Sequence, residues 1–222
     1  MSAPCEPCHH LTNAQCVIAL RTRLHMDLPM CIGACQHRRP DGTICGVALD
    51  AKGIHARCCA VGGWLVRRHD AACAVLRKWC EDMHCNVQAE VILPISAPGR
   101  PEARMDLVIH APHVGNAINV DLTVVTALSR EAMAAGSARR DGAAAQRAAR
   151  NKRARYPNCH VVPFVIEDHG RLGEEAIQLV RRLAPTVSTE RSSAIRRLYQ
   201  SMGAVLQRHS ADSVLAATAL GR

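Results

Sequence analysis

Two aspartates stand inside short apolar runs near the middle of the chain. Asp106 lies in the run 104–109 and Asp121 in the run 120–125, each among valine, leucine, isoleucine or threonine. Such residues predict strands within a sheet. A carboxylate in such a strand costs several kcal/mol unless a cation or a set of hydrogen bonds satisfies it. The pair therefore predicts a metal site.

The segment between the two runs predicts an antiparallel hairpin, because residues 112–115, Pro-His-Val-Gly, are a turn signal. A turn centred there places Asp106 opposite Asp121, with Cβ atoms about 5 Å apart. Two like charges at that distance repel, so the pair is expected to bind a divalent cation with oxygen ligands, Mg²⁺ or Mn²⁺. Alternation along the strand puts Thr123 on the same face as Asp121.

Cysteines and histidines form a second candidate metal cluster, spaced Cys31-x3-Cys35-x9-Cys45-x9-His55-x3-Cys59. Zinc takes four tetrahedral Cys/His ligands, and the predicted set is Cys35, Cys45, His55 and Cys59. Cys31 is the alternative to Cys35, and Cys58 is a buried or spare thiol. The competing interpretation is a cysteine-rich loop without metal. The shorter Cys5-x2-Cys8-His9-His10 motif is more typical of a disordered terminus than of a second knuckle.

The pattern along the chain predicts a mixed α/β protein with four segments. These are an N-terminal helical segment at 1–30, a zinc knuckle at 31–62, a core at 63–185 and a C-terminal helix at 186–222. Helices are predicted from 12 or 13 to 24, and at 65–83, 143–155, 173–183 and 190–217. Strands are predicted at 87–93, in the two acidic runs and at 160–166, and a Pro/Gly loop at 94–101.

Charge and composition favour a nucleic-acid backbone as the partner. The net charge is +9, and seven basic residues with one acid lie between 139 and 155. Arg147 and Arg150 are candidate phosphate contacts, although a charge run can also be only a solvated face. Aromatic residues make up only 2% of the chain, which disfavours base stacking. The chain has no apolar run of membrane length and no signal peptide, so we expect an intracellular, reducing compartment for its 12 cysteines.

Two residues of the helix at 65–83 are also candidates. His69 falls on its apolar stripe, where it is either a satisfied core residue or a group that orients the metal site or a phosphate. Its neighbour Arg68 is expected to contact phosphate or solvent. Lys152, on the basic helix, could reach the position next to Asp121 where Thr123 offers no charge.

Taken together, these residues resemble the restriction-like endonucleases with a PD-(D/E)xK core, in the form found at the C-terminal end of site-specific non-LTR retrotransposon polyproteins. The resemblance covers the knuckle, the triplet Arg68-His69-Asp70, the triplet Arg104-Met105-Asp106, Asp121, and Lys152 with Tyr156. Two positions depart from the family pattern. Met105 replaces a proline and Thr123 replaces the catalytic lysine, although family members can carry that lysine on the following helix, where Lys152 lies.

The resemblance implies an αβββαβ core and a metal-dependent DNA endonuclease. Asp106 and Asp121, with Glu90 as a third carboxylate, would hold Mg²⁺ or Mn²⁺, and Lys152 would stabilise developing charge. A surface role for Glu90 is the alternative. The implied DNA contacts are Arg68, His69, Arg104, Arg147, Arg150 and Tyr156, although Tyr156 could equally be a core residue.

The implied role is nicking of target DNA so that a reverse transcriptase can prime on it. The chain would then be the tail of a larger polyprotein that also engages element RNA, or a freestanding remnant. The compartment would then be the nucleus if the element is eukaryotic. Two other functions compete with this one. The chain could be a zinc-containing DNA-binding module with a degenerate, inactive nuclease centre, or a protein-interaction fragment with no nucleic-acid role.

Overall fold

A computed structural model describes residues 10–93, 102–157 and 159–218. The short Cys/His motif at 5–9 and the predicted loop at 94–101 lie outside these residues. The helices and strands, in chain order, are α1 (Asn13–Arg23), α2 (Ile54–Cys58), α3 (Trp64–Asp82), β1 (Asn86–Leu93), β2 (Ala103–His110), β3 (Ile118–Val125), α4 (Arg130–Ala134), α5 (Ala143–Arg155), β4 (Val161–Glu167), α6 (Glu174–Leu183) and α7 (Ser188–Ala217).

The four strands form one mixed sheet in the order β1-β2-β3-β4. β1 and β2 are antiparallel, β2 and β3 are antiparallel, and β3 and β4 are parallel. The parallel pair requires a crossover, and α5 is the long helix of that connection. The predicted mixed α/β class is confirmed, as is the order of the predicted helices and strands.

The larger hydrophobic core lies between one face of the sheet and helices α3, α6 and α7. Leu107 of β2, Val120 and Leu122 of β3, and Phe164 of β4 are all at most 1% exposed there. They pack with Leu76 of α3 and its neighbours. This core fixes the alternation of β3, so Asp121, between Val120 and Leu122, faces the other side of the sheet.

Helix α5 covers that other side. Ala145 and Ala149 pack against Val165 of β4, and because alanine is small the helix lies close to the strands. A neighbouring cluster contains Met105 and Tyr156, which are 0% and 7% exposed. Met105 is therefore a core residue.

The C-terminal helix α7 is 30 residues long and contacts two hydrophobic clusters. Its N-terminal part, as far as Leu206, packs into the sheet core through Leu198, Met202 and Leu206. Its second half packs through Ala211 and Val214 onto a separate cluster made of α1 and the cysteine-rich segment. The same helix therefore supports both the sheet and the knuckle.

The sequence analysis missed two short helices, α2 and α4. Each has only five residues, which is too short for a hydrophobic period to be recognised. Within the described ranges, no helix has the length and apolar character needed to cross a membrane.

Candidate functional site

The two aspartates lie where β2 and β3 separate. Ladder pairing runs from Ile109–Ile118 to Leu107–Val120, so Asp106 and Asp121 are the next positions in register. Beyond that point, Oδ2 of Asp106 accepts a hydrogen bond from the Leu122 amide at 2.7 Å. The carboxylate is thus held against the backbone of β3, close to Asp121.

Lys152 of α5 lies at Asp121. Its Nζ is 2.5 Å from Oδ1 of Asp121, and the side chains of Lys152 and Asp121 are 20% and 6% exposed. The other oxygen, Oδ2, is buried and has no hydrogen-bond partner among the described residues. Thr123, two residues along β3, carries no charge. The positively charged side chain beside Asp121 is therefore Lys152 of the helix α5 and not a residue of the strand β3.

The two carboxylates differ in their electrostatics. Burial raises the pKa of Asp121 and the charge of Asp106 raises it further, while Lys152 lowers it only in part. Burial also raises the pKa of Asp106, but the hydrogen bond and charge of His69, with the Leu122 amide, lower it below its ordinary value. A cation bound between the two aspartates would favour the ionised form of both.

His69 of α3 reaches the same centre. Its Nε2 is 3.3 Å from Oδ2 of Asp106, and its Nδ1 is 3.1 Å from Oδ1 of Asp70. The hydrogen bond with Asp106 and the contact with Cys73 raise the pKa of His69 to about 11. The side chain is 31% exposed, so His69 is a half-buried residue of the carboxylate centre rather than a core histidine.

The structure does not bring Glu90 to the aspartate pair. Oε1 of Glu90 is 2.5 Å from Nη2 of Arg104, and the two side chains are 70% and 62% exposed. Glu90 also has a positive φ of 55°, which interrupts the regular alternation of β1. Glu90 was expected to be a third metal ligand, but the structure places it in a surface ion pair with Arg104. The same contact engages the guanidinium of Arg104, which was expected to contact DNA.

Arg68 is not a surface residue, contrary to the sequence-based expectation. It is 4% exposed, and its Nη1 lies 3.4 Å from Oγ of Ser210 on α7. Helix α3 packs α7 on one flank and the sheet on another, so its buried stripe is wider than the apolar periodicity indicated. Arg68 is therefore not available to contact DNA in this arrangement.

The remaining predicted DNA contacts lie on or after α5. Arg150 is exposed, and Arg147 is half-buried with its Nη1 2.6 Å from the Glu131 carbonyl oxygen. Tyr156 is a core residue, and burial raises the pKa of its hydroxyl, with the charge of Asp121 adding to the effect. Arg150 is the best placed of these residues to contact phosphate.

The cysteine-rich segment brings together the four predicted ligands. A small hairpin, with backbone bridges Ala34–Ala48 and Arg38–Ile44, carries Cys35 and Cys45. The region of α2 carries His55 and Cys59. Gly53 precedes α2 with a φ of 63°, and a Cβ there would lie 2.7 Å from Leu28, so this tight entry requires glycine.

The ligand atoms have the spacing of a metal tetrahedron. Sγ of Cys45 is 3.5 Å from Nε2 of His55 and 3.5 Å from Sγ of Cys59, and Sγ of Cys35 is 4.0 Å from that of Cys59. Zinc, with bonds of about 2.3 Å to sulfur and about 2.0 Å to nitrogen, separates such ligands by about 3.6–3.8 Å. The Cys3His group could therefore bind a metal such as zinc.

Of the two open alternatives, Cys35 belongs to this group and Cys31 does not. Cys31 lies in the same hydrophobic cluster as Cys35 and Cys59. Burial raises the pKa of Cys35, and raises that of Cys59 to about 12. Without a cation these thiols would remain protonated at neutral pH. A bound divalent ion would favour the thiolates, which are the forms that act as ligands.

Two groups of residues were missed by the sequence analysis. Cys73 lies one helical turn after His69, with its Sγ 3.7 Å from Nε2 of His69. The spacing of four residues on a helix was the signal that could have identified it. Arg57 of α2 and Asp168 after β4 form a buried ion pair at 2.6 Å, with 2% and 0% exposed side chains, and no sequence pattern indicates that contact.

No protein-family model matches the chain, and no curated protein matches it significantly.

Proposed function

We propose that the chain is a metal-dependent DNA endonuclease that hydrolyses phosphodiester bonds at the Asp106–Asp121 centre. The observation that carries the proposal is the contact of Lys152 with Asp121 beside a second carboxylate. Two carboxylates can hold a metal ion that activates water, and a lysine beside them can stabilise developing negative charge. The order α3-β1-β2-β3-α5-β4 further supports a restriction-like αβββαβ core, apart from the short α4 helix.

The residues at the centre fit a divalent cation such as Mg²⁺ or Mn²⁺. Oδ2 of Asp121 is buried without a hydrogen-bond partner among the described residues, so it has a free position for a ligand bond. The nearby charge of Asp106 raises the pKa of Asp121, and a cation between the two acids would remove that repulsion. Oxygen donors of this type suit hard cations.

Each side chain has a distinct role in the proposed reaction. The metal, when bound, would polarise the phosphate and lower the pKa of the attacking water. Asp106 and Asp121 would supply oxygen ligands, and the hydrogen bond from the Leu122 amide holds the Asp106 carboxylate in place. Lys152 would stabilise the negative charge that develops on the phosphate. His69 orients Asp106 through their hydrogen bond.

The rest of the chain would position the DNA. The arginines of α5, with Arg150 exposed, neutralise backbone phosphates beside the centre. We propose that the Cys3His group binds zinc and holds the knuckle against α7. By the resemblance noted from sequence, the natural role would be target-site nicking for a retroelement, with a reverse transcriptase and element RNA as partners.

A plasmid assay tests the proposal. The purified chain is incubated with supercoiled plasmid and Mg²⁺ or Mn²⁺, with and without EDTA, while DNA binding is measured in parallel by a mobility shift. We expect nicked circles that depend on the metal and disappear with EDTA. DNA binding without any nicking would overturn the proposal.

One observation favours a second candidate function, a zinc-containing DNA-binding module with an inactive nuclease centre. Asp121 is already in a short ion pair with Lys152, which competes with metal for that carboxylate. The knuckle and the arginines of α5 do not depend on the centre. Binding of DNA with about one zinc per chain, and with no metal-dependent cleavage, is the result that this candidate predicts.

A further inference from the structure

Three side chains beside the aspartate pair form a cluster that hydrolysis by two carboxylates and a lysine does not require. They are His69 and Cys73 of α3 and Asp106 of β2, and their ligand atoms lie within 4.8 Å of one another. Nε2 of His69 is 3.3 Å from Oδ2 of Asp106 and 3.7 Å from Sγ of Cys73. A tetrahedral zinc-like ion separates such atoms by about 3.3–3.6 Å. Sγ of Cys73 is also 3.8 Å from Nδ1 of His69, so the sulfur lies beside the imidazole ring. The three ligand atoms are close enough to bind one ion after a rotation of the His69 ring.

The helix and the donor types make this cluster selective. His69 and Cys73 are four residues apart on α3, so both side chains leave the same face, one turn apart. A thiolate and an imidazole favour borderline and soft ions, whereas Mg²⁺ prefers oxygen. The cluster therefore differs in chemistry from the all-oxygen pair of Asp106 and Asp121.

Two further contacts orient the donors. Oδ1 of Asp70 lies 3.1 Å from Nδ1 of His69, which leaves Nε2 directed at Asp106. The Leu122 amide donates to Asp106 at 2.7 Å. A carboxylate on the far nitrogen of a histidine is the usual partner of a metal-bound imidazole. These supporting contacts are what a built metal site has and a chance cluster lacks.

We propose that His69, Cys73 and Asp106 form a second transition-metal site, for an ion such as Zn²⁺ or Co²⁺, with one coordination position open. Three protein ligands with partial exposure are typical of sites that keep a fourth position for water or another ligand. The Cys3His group, in contrast, supplies all four ligands. The Cys3His group would therefore be a closed structural site, and the site at His69, Cys73 and Asp106 would be an open one.

The open site shares Asp106 with the proposed cleavage centre, which gives it a regulatory consequence. An ion bound to His69, Cys73 and Asp106 withdraws Asp106 from Mg²⁺. Zn²⁺ therefore inhibits Mg²⁺-dependent nicking. This consequence rests on the proposed function, whereas metal binding itself does not.

Cobalt absorbance tests the site on the full chain with zinc in the Cys3His group. Co²⁺ is titrated while the thiolate-to-cobalt absorption and the retained zinc are measured. We expect one further equivalent of Co²⁺ with a charge-transfer band, while roughly one zinc per chain remains bound. Cys73→Ser loses the band, and Asp70→Asn weakens Co²⁺ binding about 10–100-fold. Cys16→Ser and Asp82→Asn, on α1 and at the end of α3, serve as matched controls and leave the titration unchanged.

Absence of a second equivalent, a band that persists in Cys73→Ser, or a band that grows only as zinc leaves would each overturn the proposal. Inhibition is then measured separately, by adding Zn²⁺ to the Mg²⁺-dependent plasmid assay. Zn²⁺ inhibits the wild type more strongly than Cys73→Ser. A chain that binds Co²⁺ as expected but never nicks DNA would leave the metal site standing and remove only the nuclease.

Discussion

Lys152 is the residue on which the proposed cleavage chemistry depends most. It contacts Asp121 from α5, while Thr123 occupies the strand position where a lysine would project from the same face. The side chain is 20% exposed, so its charge is only partly screened by water. The positive charge beside Asp121 therefore comes from the helix α5 rather than from the strand β3.

Substitution of Lys152 by alanine should lower the nicking rate by about a hundredfold, because an electrostatic donor to the transition state is lost. DNA affinity should change little, since six other basic residues remain between 139 and 155. The double variant Thr123→Lys with Lys152→Ala should recover part of the rate. Arg150→Ala is the matched control, with weaker binding and nearly unchanged chemistry. Equal losses of binding and cleavage in Lys152→Ala would make the lysine a phosphate contact.

Protonation of His169 makes the stability of the folded chain depend on pH. Burial lowers its pKa below the ordinary value, and the charge of Asp168 offsets this only partly. Below about pH 6.5 the unfolded chain binds a proton that the folded chain resists. Stability is therefore present at neutral pH and lost as the pH falls through the lowered pKa.

Thermal unfolding between about pH 7.5 and pH 5 checks this sign. The wild type should lose midpoint temperature on acidification, and His169→Gln should lose less. An equally steep fall in His169→Gln would assign the acid sensitivity to other groups, of which His209 is the first to examine because burial lowers its pKa too.

Among the elements, α2 connects the knuckle to the sheet. Its Arg57 pairs with Asp168, which follows β4, and both side chains are fully buried. Oγ of Ser213 on α7 also donates to the Ala56 carbonyl at 2.7 Å. His55 in this short helix and Cys59 directly after it are candidate metal ligands, while Ala56 and Arg57 make structural contacts.

Asp168→Asn should lower the free energy of unfolding by roughly 3–5 kcal/mol, because Arg57 would keep a buried charge without its partner. Urea unfolding monitored by circular dichroism measures the change. Asp141→Asn is the control, since Asp141 pairs with Arg171 but its side chain is 95% exposed. A stability for Asp168→Asn like that of the control would mean that the ion pair contributes little.

The knuckle itself should carry about one zinc per chain. His55→Ala or Cys59→Ser should lose the metal and lower the midpoint of unfolding, since structural metal binding contributes folding free energy. Cys16→Ser, on α1 outside the group, should keep both. Elemental analysis of protein purified without chelators, combined with calorimetry, gives the result. Chains without zinc that unfold at the wild-type temperature would contradict the prediction.

Over the whole molecule, local signals predicted the elements better than the contacts between them. The hairpin register followed from the turn at 112–115, and the Cys/His spacing identified four ligands that the fold brings together. The prediction of Glu90 as a metal ligand did not account for its positive φ, which interrupts the strand β1. No residue pattern in the sequence indicates that backbone conformation. Arg68 was misplaced because α7, more than 100 residues later, buries it.

Contacts between elements are also hard to predict from sequence at the Asp106–Asp121 centre. Lys152 could be expected near Asp121 because α5 follows β3. The four-residue spacing of His69 and Cys73 places them on one helix face, but their position beside Asp106 depends on the packing of α3 against β2. Long-range packing decides which of several polar residues meet. A net charge of +9 predicts an anionic partner and cannot select the surface that binds it.

The most direct test of a cleavage centre at Asp106 and Asp121 is metal-dependent nicking by Asp121→Asn, measured with DNA affinity on the same preparation. This change removes a ligand charge while keeping side-chain size. We expect nicking to be abolished, with binding and the circular dichroism spectrum largely intact. Asp141→Asn should behave as the wild type. Nicking by Asp121→Asn at the wild-type rate would contradict the assignment and place the active site elsewhere in the chain.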